Sequence, residues 1–402
     1  MEQGSVRVQT PGWVLVWMTG LFFIWGFLTE MDGALIPFLK DLFELSNFQA
    51  ALVQFAFFIA FFVVSFPAAG ILQKVGYRKG ISLGLGVMAL GSFGFIAAGV
   101  YAEYAYFLIA IFALAAGVTL LQVAANPYMV ALGGAGSGSN YLNTAQGFNA
   151  LAKVLAPLFG AWAILEGMEA LDEAARLDRL NEVYFWIGIL LSAAALLFWM
   201  LRLPEVVPTR AADPSEGTYR AHPHLLRGAV AIFLYVGVEV CVATFLILYL
   251  GDVRELSRAD GAVYLSYYWG ALMAGRLLIP LVLPKAPTHK VLFLFAIGAS
   301  VCVAIAGFGT VAGAWALVAA GFFHSIMWGN IFALSLTALG SFTSKGSGLL
   351  VMAIVGGAIL PPIQGLLADS IGRAPSYWML LPAYLYLIWF ARSGHRIKPK
   401  TS

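Results

Sequence analysis

Charge is what this chain has least of. Asp, Glu, Lys and Arg make up only 11% of its 402 residues, while 61% are hydrophobic; a soluble domain carries roughly 25% charged residues. A soluble globular protein is therefore excluded. A net charge of +3 makes no case for nucleic acid, and none is expected as a partner. Cysteine is nearly absent too: Cys241 and Cys302 both fall inside apolar segments, which argues against a disulfide framework. The five histidines are scattered, with no metal-ligand spacing and no nucleophile–base pattern. The reading is not an enzyme: no catalytic residues, no metal and no cofactor are expected.

What is present is hydrophobic length. Apolar windows recur along the whole chain, most of them reaching the roughly 20 residues that a membrane-spanning helix needs. Twelve are expected. They are Gly12–Leu39, Gln49–Gln73, Gly80–Val100, Tyr104–Leu132, Asn140–Leu165 and Val183–Leu201, then Arg227–Leu250, Gly261–Leu283, Val291–Thr310, Ala312–Leu339, Gly346–Ala368 and Ser376–Phe390. The chain thus divides into an N-terminal six-helix bundle (1–201), a polar cytoplasmic linker (202–226) and a C-terminal six-helix bundle (227–402).

The chain repeats itself. Leu21–Ser46 lies over Ile232–Ser257 without a gap, an offset of 232 − 21 = 211. Phe22 meets Phe233, Gly26 meets Gly237, Asp41 meets Asp252, and Glu44-Leu45-Ser46 meets Glu255-Leu256-Ser257. Gly117 and Asn126 match Gly321 and Asn330, and Pro157–Gly160 matches Pro362–Gly365. Six helices per half is an even number, so both copies keep one orientation: parallel repeats about an axis along the membrane normal. The fold class is all-α, twelve transmembrane helices in two parallel-repeat six-helix bundles.

Basic residues orient the set. With both termini cytoplasmic, the inner loops hold Lys74, Arg78, Lys79, Arg202, Arg210, Arg220, Arg227, Lys285, Lys290 and Lys345, joined by Arg7, Arg392, Arg396, Lys398 and Lys400 at the ends. The outer loops hold only Lys40, Arg176, Arg179, Arg254, Arg258 and Arg373, together with the acidic cluster Glu166–Glu182. The first apolar window is too long for a cleaved signal, so no signal peptide is expected. A bacterial inner-membrane monomer, with lipid as its surroundings, is the expectation.

Polar residues inside the membrane mark function. Helix 5 carries Asn143, Gln146, Asn149 and Lys153 at spacings of one helical face, and helix 4 carries Thr119, Gln122 and Asn126 likewise. Amides donate and accept, which suits sugar hydroxyls. For a single amide, interhelical bonding is the simpler account; two stripes on neighbouring helices favour a polar cavity. In the second half Trp328 and Asn330 on helix 10, Gln364 on helix 11, and Tyr268 and Trp269 on helix 8 add aromatic faces and amides. His324 alone reads as a packed histidine. Arg276, near the cytoplasmic end of helix 8, reads as a snorkelling residue. Four further residues are candidates for ion coupling: Glu30, Asp32, Glu239 and Lys153. Glu30 and Asp32 are two apart and point in nearly opposite directions.

The strings Leu121–Tyr128, Leu142–Asn149, and Ser344–Gly348 through Ala368-Asp369 resemble the fucose–proton symporter and glucose/galactose transporter branch of the major facilitator superfamily. The resemblance covers most of the chain and implies two six-helix bundles with alternating access. The family's sugar-binding Gln and Asn match Gln146 and Asn149. Three positions depart from its pattern. The fucose symporter's acid on helix 4 is Gln122 here. Counting from Trp25-Gly26 puts Gly33 at the family's proton-binding Asp, with Glu30 on the same face. Lys153 stands where a small or neutral residue is expected.

The expected function is import of a monosaccharide (hexose, deoxyhexose or derivative), coupled to protons or sodium. The alternative is an uncoupled uniporter, or an importer of acidic sugars whose carboxylate meets Lys153. Glu30 is the expected proton carrier, because a carboxyl in a low-dielectric cavity can load and release near neutral pH. Lys153 needs a counterion at mid-membrane, either Glu30 or the substrate.

Overall fold

The computed structural model describes residues 11–134, 137–165, 171–204, 218–256 and 258–397. Among these the chain is helical almost throughout. The first half comprises α1 (Gly12–Glu30), α2 (Asp32–Leu42), α3 (Asn47–Tyr101), α4 (Tyr104–Gly133), α5 (Gly138–Gly160), a π-helical turn (Ala161–Leu165) and α6 (Glu173–Met200). The second comprises α7 (Pro223–Arg254), α8 (Arg258–Val282), α9 (Thr288–Ala306), α10 (Val311–His324), α11 (Met327–Ser335), α12 (Thr343–Met352), α13 (Gly356–Ile371), α14 (Arg373–Ser376) and α15 (Leu381–Trp389). Most of the linker, together with Arg7, Arg210, Lys398 and Lys400, lies outside the described residues.

Ten helical stretches among the described residues are long and apolar enough to cross a membrane. One of them, Leu52–Tyr101, runs for 50 residues, too long for one crossing; it turns back at Gly76, whose φ of 77° and ψ of 173° only glycine adopts readily. The last expected span is present as the short pieces α14 and α15 with 3₁₀ turns between them. With these two adjustments the twelve expected crossings are accounted for. The surface is apolar, with Leu90, Val100, Leu281, Phe308 and Leu366 all strongly exposed. The interior holds Thr119, Asn126, His324 and Gln364 fully buried. That inversion belongs to a protein whose outer solvent is lipid.

Four expected spans differ in their limits. The first breaks at Met31, between α1 and α2. The tenth breaks at Ser325-Ile326, between α10 and α11. The eleventh is interrupted by a 3₁₀ turn, Ala353–Val355. The sixth starts at Glu173, well before its apolar stretch, because Asp172 caps it by accepting the Ala175 N–H at 2.8 Å. The acidic segment read as loop is therefore partly helix.

The repeat is written in the backbone as well as the sequence. Glu44 and Glu255, 211 apart, both take the left-handed conformation (φ 49° and 55°). Ala102 pairs with Gly309 and Gly134 with Ala338 in the same way, at φ of 49°, 66°, 62° and 57°. Each pair ends equivalent helices in the two halves. In the first copy Glu-Leu-Ser is thus a helix stop and restart: after Glu44 turns left, Ser46 and Gln49 form a capping box on α3.

Candidate functional site

A cavity of about 460 Å³ lies between the halves. α1 contributes Trp25, Thr29 and Glu30; α3 Gln54 and three phenylalanines; α4 Gln122; and α5 Gln146, Asn149 and Lys153. From the second half come Glu239 and Thr244 on α7, Trp269 and Arg276 on α8, and Trp328 on α11. A larger hollow of about 700 Å³ opens between α1, the π-helical turn and α6. Its walls are Phe23, Phe27, Phe159, Trp162 and Trp186, with Trp162 and Trp186 on the exposed apolar surface. That hollow faces lipid; the chemistry is in the central one.

The expected site residues divide into two groups. Gln122, Gln146, Asn149, Trp328, Glu30, Glu239 and Lys153 all line the cavity. Asn126, Asn143, Asn330 and Gln364 do not. Asn143 donates through Nδ2 to Asn330 Oδ1 at 2.8 Å, joining the halves directly. Gln364 is fully buried beside Ser376 at 3.4 Å, and Asn126 is buried with neither side-chain atom hydrogen-bonded. The Asp32 side chain lies outside the described residues.

Asn149 is held from α1: its Nδ2 donates to the Phe22 carbonyl at 3.0 Å, leaving the side-chain oxygen to accept from a ligand. Gly26 permits this approach. A Cβ there would stand 2.4 Å from Asn149 Nδ2 and 2.7 Å from its backbone oxygen. The Trp25-Gly26 pair thus supplies an aromatic wall and the space behind it.

Charge in the cavity is organised in two places. Lys153 Nζ lies 3.0 Å from Glu30 Oε1 and 5.3 Å from the ring centre of Trp269. Of the two counterions open to Lys153, the chain supplies its own. Arg276, expected to snorkel, is instead 5% exposed. Its Nε donates to the Ser325 carbonyl at 3.0 Å and its Nη1 to the Gln146 carbonyl at 3.3 Å. The first of those acceptors exists because the helix breaks there: α10 stops at His324, freeing carbonyls that continuous helix would occupy. Tyr235 takes the neighbouring one, donating to His324 O at 2.9 Å, and also meets Glu239. Arg276 was legible in one respect: it stands seven residues after Trp269, on the same helical face.

His324 is fully buried, with Nδ1 2.8 Å from the Tyr268 hydroxyl and Nε2 2.6 Å from that of Tyr384. It is a packed histidine. On one side the cavity is closed by further bonds between the halves: Ser139–Thr288 at 2.9 Å, Asn140 to Pro284 O at 2.9 Å and Ser347 to Val123 O at 2.9 Å.

A duplicated helical membrane protein enclosing a cavity lined by polar side chains between its halves has the build of a solute transporter. The Major Facilitator Superfamily profile matches residues 16–354, and the chain belongs to that superfamily. It is 41% identical over 391 residues to a glucose/galactose transporter of Brucella abortus, covering 96% of this chain and 95% of that one. It is 30% identical to the L-fucose-proton symporter of Escherichia coli, covering 96% and 93%. Among solved structures, the transporter FucP in the outward conformation superposes with a TM-score of 0.86 at 28% identity, over 95% of this chain and 99% of that one. The proton:xylose symporter XylE shares the fold, with a TM-score of 0.77 at 13% identity. These relatives are transporters, not enzymes.

Proposed function

We propose that this protein carries a neutral monosaccharide, of the glucose, galactose or fucose kind, across the bacterial plasma membrane, driven by a proton. One observation carries the reading: amides from the first half (Gln122, Gln146, Asn149) face tryptophans from both halves (Trp25, Trp269, Trp328) across a cavity of about 460 Å³. A pyranose has apolar C–H faces and a polar edge, and this wall offers a partner to each. The Glu30–Lys153 pair weighs against acidic sugars, since the lysine already has a carboxylate at 3.0 Å. It also weighs against sodium at Glu30, where the ammonium occupies the cation's place.

In this reading the bundles 1–201 and 227–402 rock about the cavity, with linker 202–226 and both termini cytoplasmic. The bonds at Ser139, Asn140, Asn143 and Ser347 are then the cytoplasmic closure. The test is equilibrium binding and counterflow in proteoliposomes over D-glucose, D-galactose, L-fucose and D-glucuronate. Binding of a neutral hexose with no measurable glucuronate binding is expected. Glucuronate preferred over all neutral sugars would overturn it.

A further inference from the structure

We infer that the coupling proton of this transporter resides on Glu239, with Tyr235 as its hydrogen-bond partner, and that Glu30 is a fixed half of an ion pair. This rests on the sugar-transport reading above and adds the place of the ion.

The observation is a count of hydrogens. The Tyr235 hydroxyl has one, yet it lies against two groups that as an ionised carboxylate and a carbonyl only accept: Glu239 Oε2 and, at 2.9 Å, the His324 carbonyl. With Glu239 ionised, one of these contacts holds two oxygens and no hydrogen. With Glu239 protonated, its O–H donates to Tyr235, whose O–H donates to His324 O, and both contacts are satisfied. Tyr235 is fully buried, so water cannot supply the missing hydrogen there.

The surroundings divide the cavity's two acids. Glu30 has Lys153 at 3.0 Å; protonating it would strand an ammonium. Glu239 is half-buried and lines the same cavity, but among the described residues no cation stands within ion-pair distance of it. The titratable groups acting on it are Tyr235 on its own helix, Tyr268 on α8 and Tyr384 on α15, and Arg276 on α8 lines the same cavity. His324 on α10 is fully buried behind Tyr235, and Glu30 and Lys153 lie across the cavity. α13 packs on α7 near Leu360, and its one acid, Asp369, lies more than two turns further along. On α12, Lys345 is beside Gly346, which meets Leu225 at the far end of α7.

Arg276 supplies the release. It faces the same Tyr235, but its Nη1 is held at 3.3 Å by the carbonyl of Gln146, which belongs to the other half. When the halves separate on that side, this bond breaks. The freed guanidinium, which lines the same cavity as Glu239, then pairs with it, and the carboxylic acid becomes a carboxylate as its proton passes to water. Gln146 carries its side chain into the sugar-facing wall, so sugar and proton release share one residue. Arg276 is here a positioning residue.

The test uses the full chain in proteoliposomes, with radiolabelled D-galactose as the probe. An inside-alkaline gradient is expected to drive accumulation, with external alkalinisation on sugar addition. Glu239→Gln, which fixes the protonated shape, is expected to abolish both. Tyr235→Phe removes the acceptor of the acid's proton and is expected to move the pH profile of accumulation about one unit toward acid, the size of one lost hydrogen bond. Sugar-linked proton influx retained in Glu239→Gln, or an unmoved profile in Tyr235→Phe, overturns the assignment. Wild-type counterflow in vesicles that show neither gradient-driven accumulation nor alkalinisation on sugar addition also overturns it, while sparing the sugar reading. Absence of counterflow with every neutral hexose in the wild type sinks the sugar reading itself.

Discussion

Removing one partner of the Glu30–Lys153 pair should do more harm than removing both. Nζ and Oε1 are 3.0 Å apart, and the side chains are 24% and 32% exposed. Charge centres roughly 4 Å apart attract by about 4 kcal/mol at an effective dielectric near 20. Water in the cavity reduces that, since partly exposed pairs are worth far less than buried ones. A coupling energy of about 1–3 kcal/mol is expected, a factor of about 5 to 150. The perturbation is a cycle: Glu30→Ala, Lys153→Ala and the double variant. The assays are D-galactose affinity of the purified protein and its thermal midpoint in detergent. Glu30→Ala strands the Lys153 ammonium beside Trp269 and Lys153→Ala strands the Glu30 carboxylate, so each should bind less sugar and melt earlier. The double variant should recover part of both losses. Losses that simply add, with coupling below about 0.5 kcal/mol, would refute the pairing as an energetic unit. A Lys153→Ala effect confined to acidic sugars would assign the lysine to substrate.

Gln146→Ala should weaken D-galactose binding about tenfold, because a buried hydroxyl loses a partner worth roughly 1–3 kcal/mol; unchanged dissociation constants in both Gln146→Ala and Asn149→Ala would remove them from the sugar site. Gly26→Ala should lower the melting temperature and sugar affinity together, since its Cβ would sit 2.7 Å from the Asn149 backbone oxygen, an overpacking cost of about 1–3 kcal/mol. Gly20→Ala is the control, with nothing within 4 Å of its Cβ, and equal melting of the two variants would contradict the account. Asn143→Ala strands Asn330 and should loosen the closed side, so that a cysteine at Ser139 reacts faster with an impermeant thiol reagent; an unchanged labelling rate would deny the amide pair a part in closure.

The twelve crossings and the duplication are legible in the sequence because both are carried locally, by hydropathy and by matched strings. Glu44-Leu45-Ser46 and Glu255-Leu256-Ser257 are visible as a repeat, but their purpose as helix stops appears only in the two left-handed backbones. Gln146 and Lys153 were readable as cavity residues from helical spacing. Asn143 lies on the same stripe and turns to Asn330 instead, because that end of α5 packs on the second half at 2.8 Å. A stripe defines a face; it does not say what the face meets. Arg276 was misread for a related reason. Its burial depends on carbonyls freed by the break after His324, and an uninterrupted apolar window such as Ala312–Leu339 gives no sign of a break.

Symmetry of scaffold and asymmetry of charge explain one another. The halves share their helix stops, but none of the cavity charges has a charged counterpart in the other copy. Glu30 falls on Cys241, and Glu239 on Leu28, at the offset of 211. What the duplication preserved is the helix framework; what diverged is the charge placed on it. Two of the diverged charges also reach across. Lys153 of the first half lies over Trp269 of the second, and Arg276 of the second holds the Gln146 carbonyl of the first. In the rocking cycle proposed above, a contact of that kind is made in one orientation of the halves and lost in the other, so its energy belongs to the conformational equilibrium itself. Residues that line a cavity from one half alone can bind a solute. Only those that span it can make binding depend on which side is open.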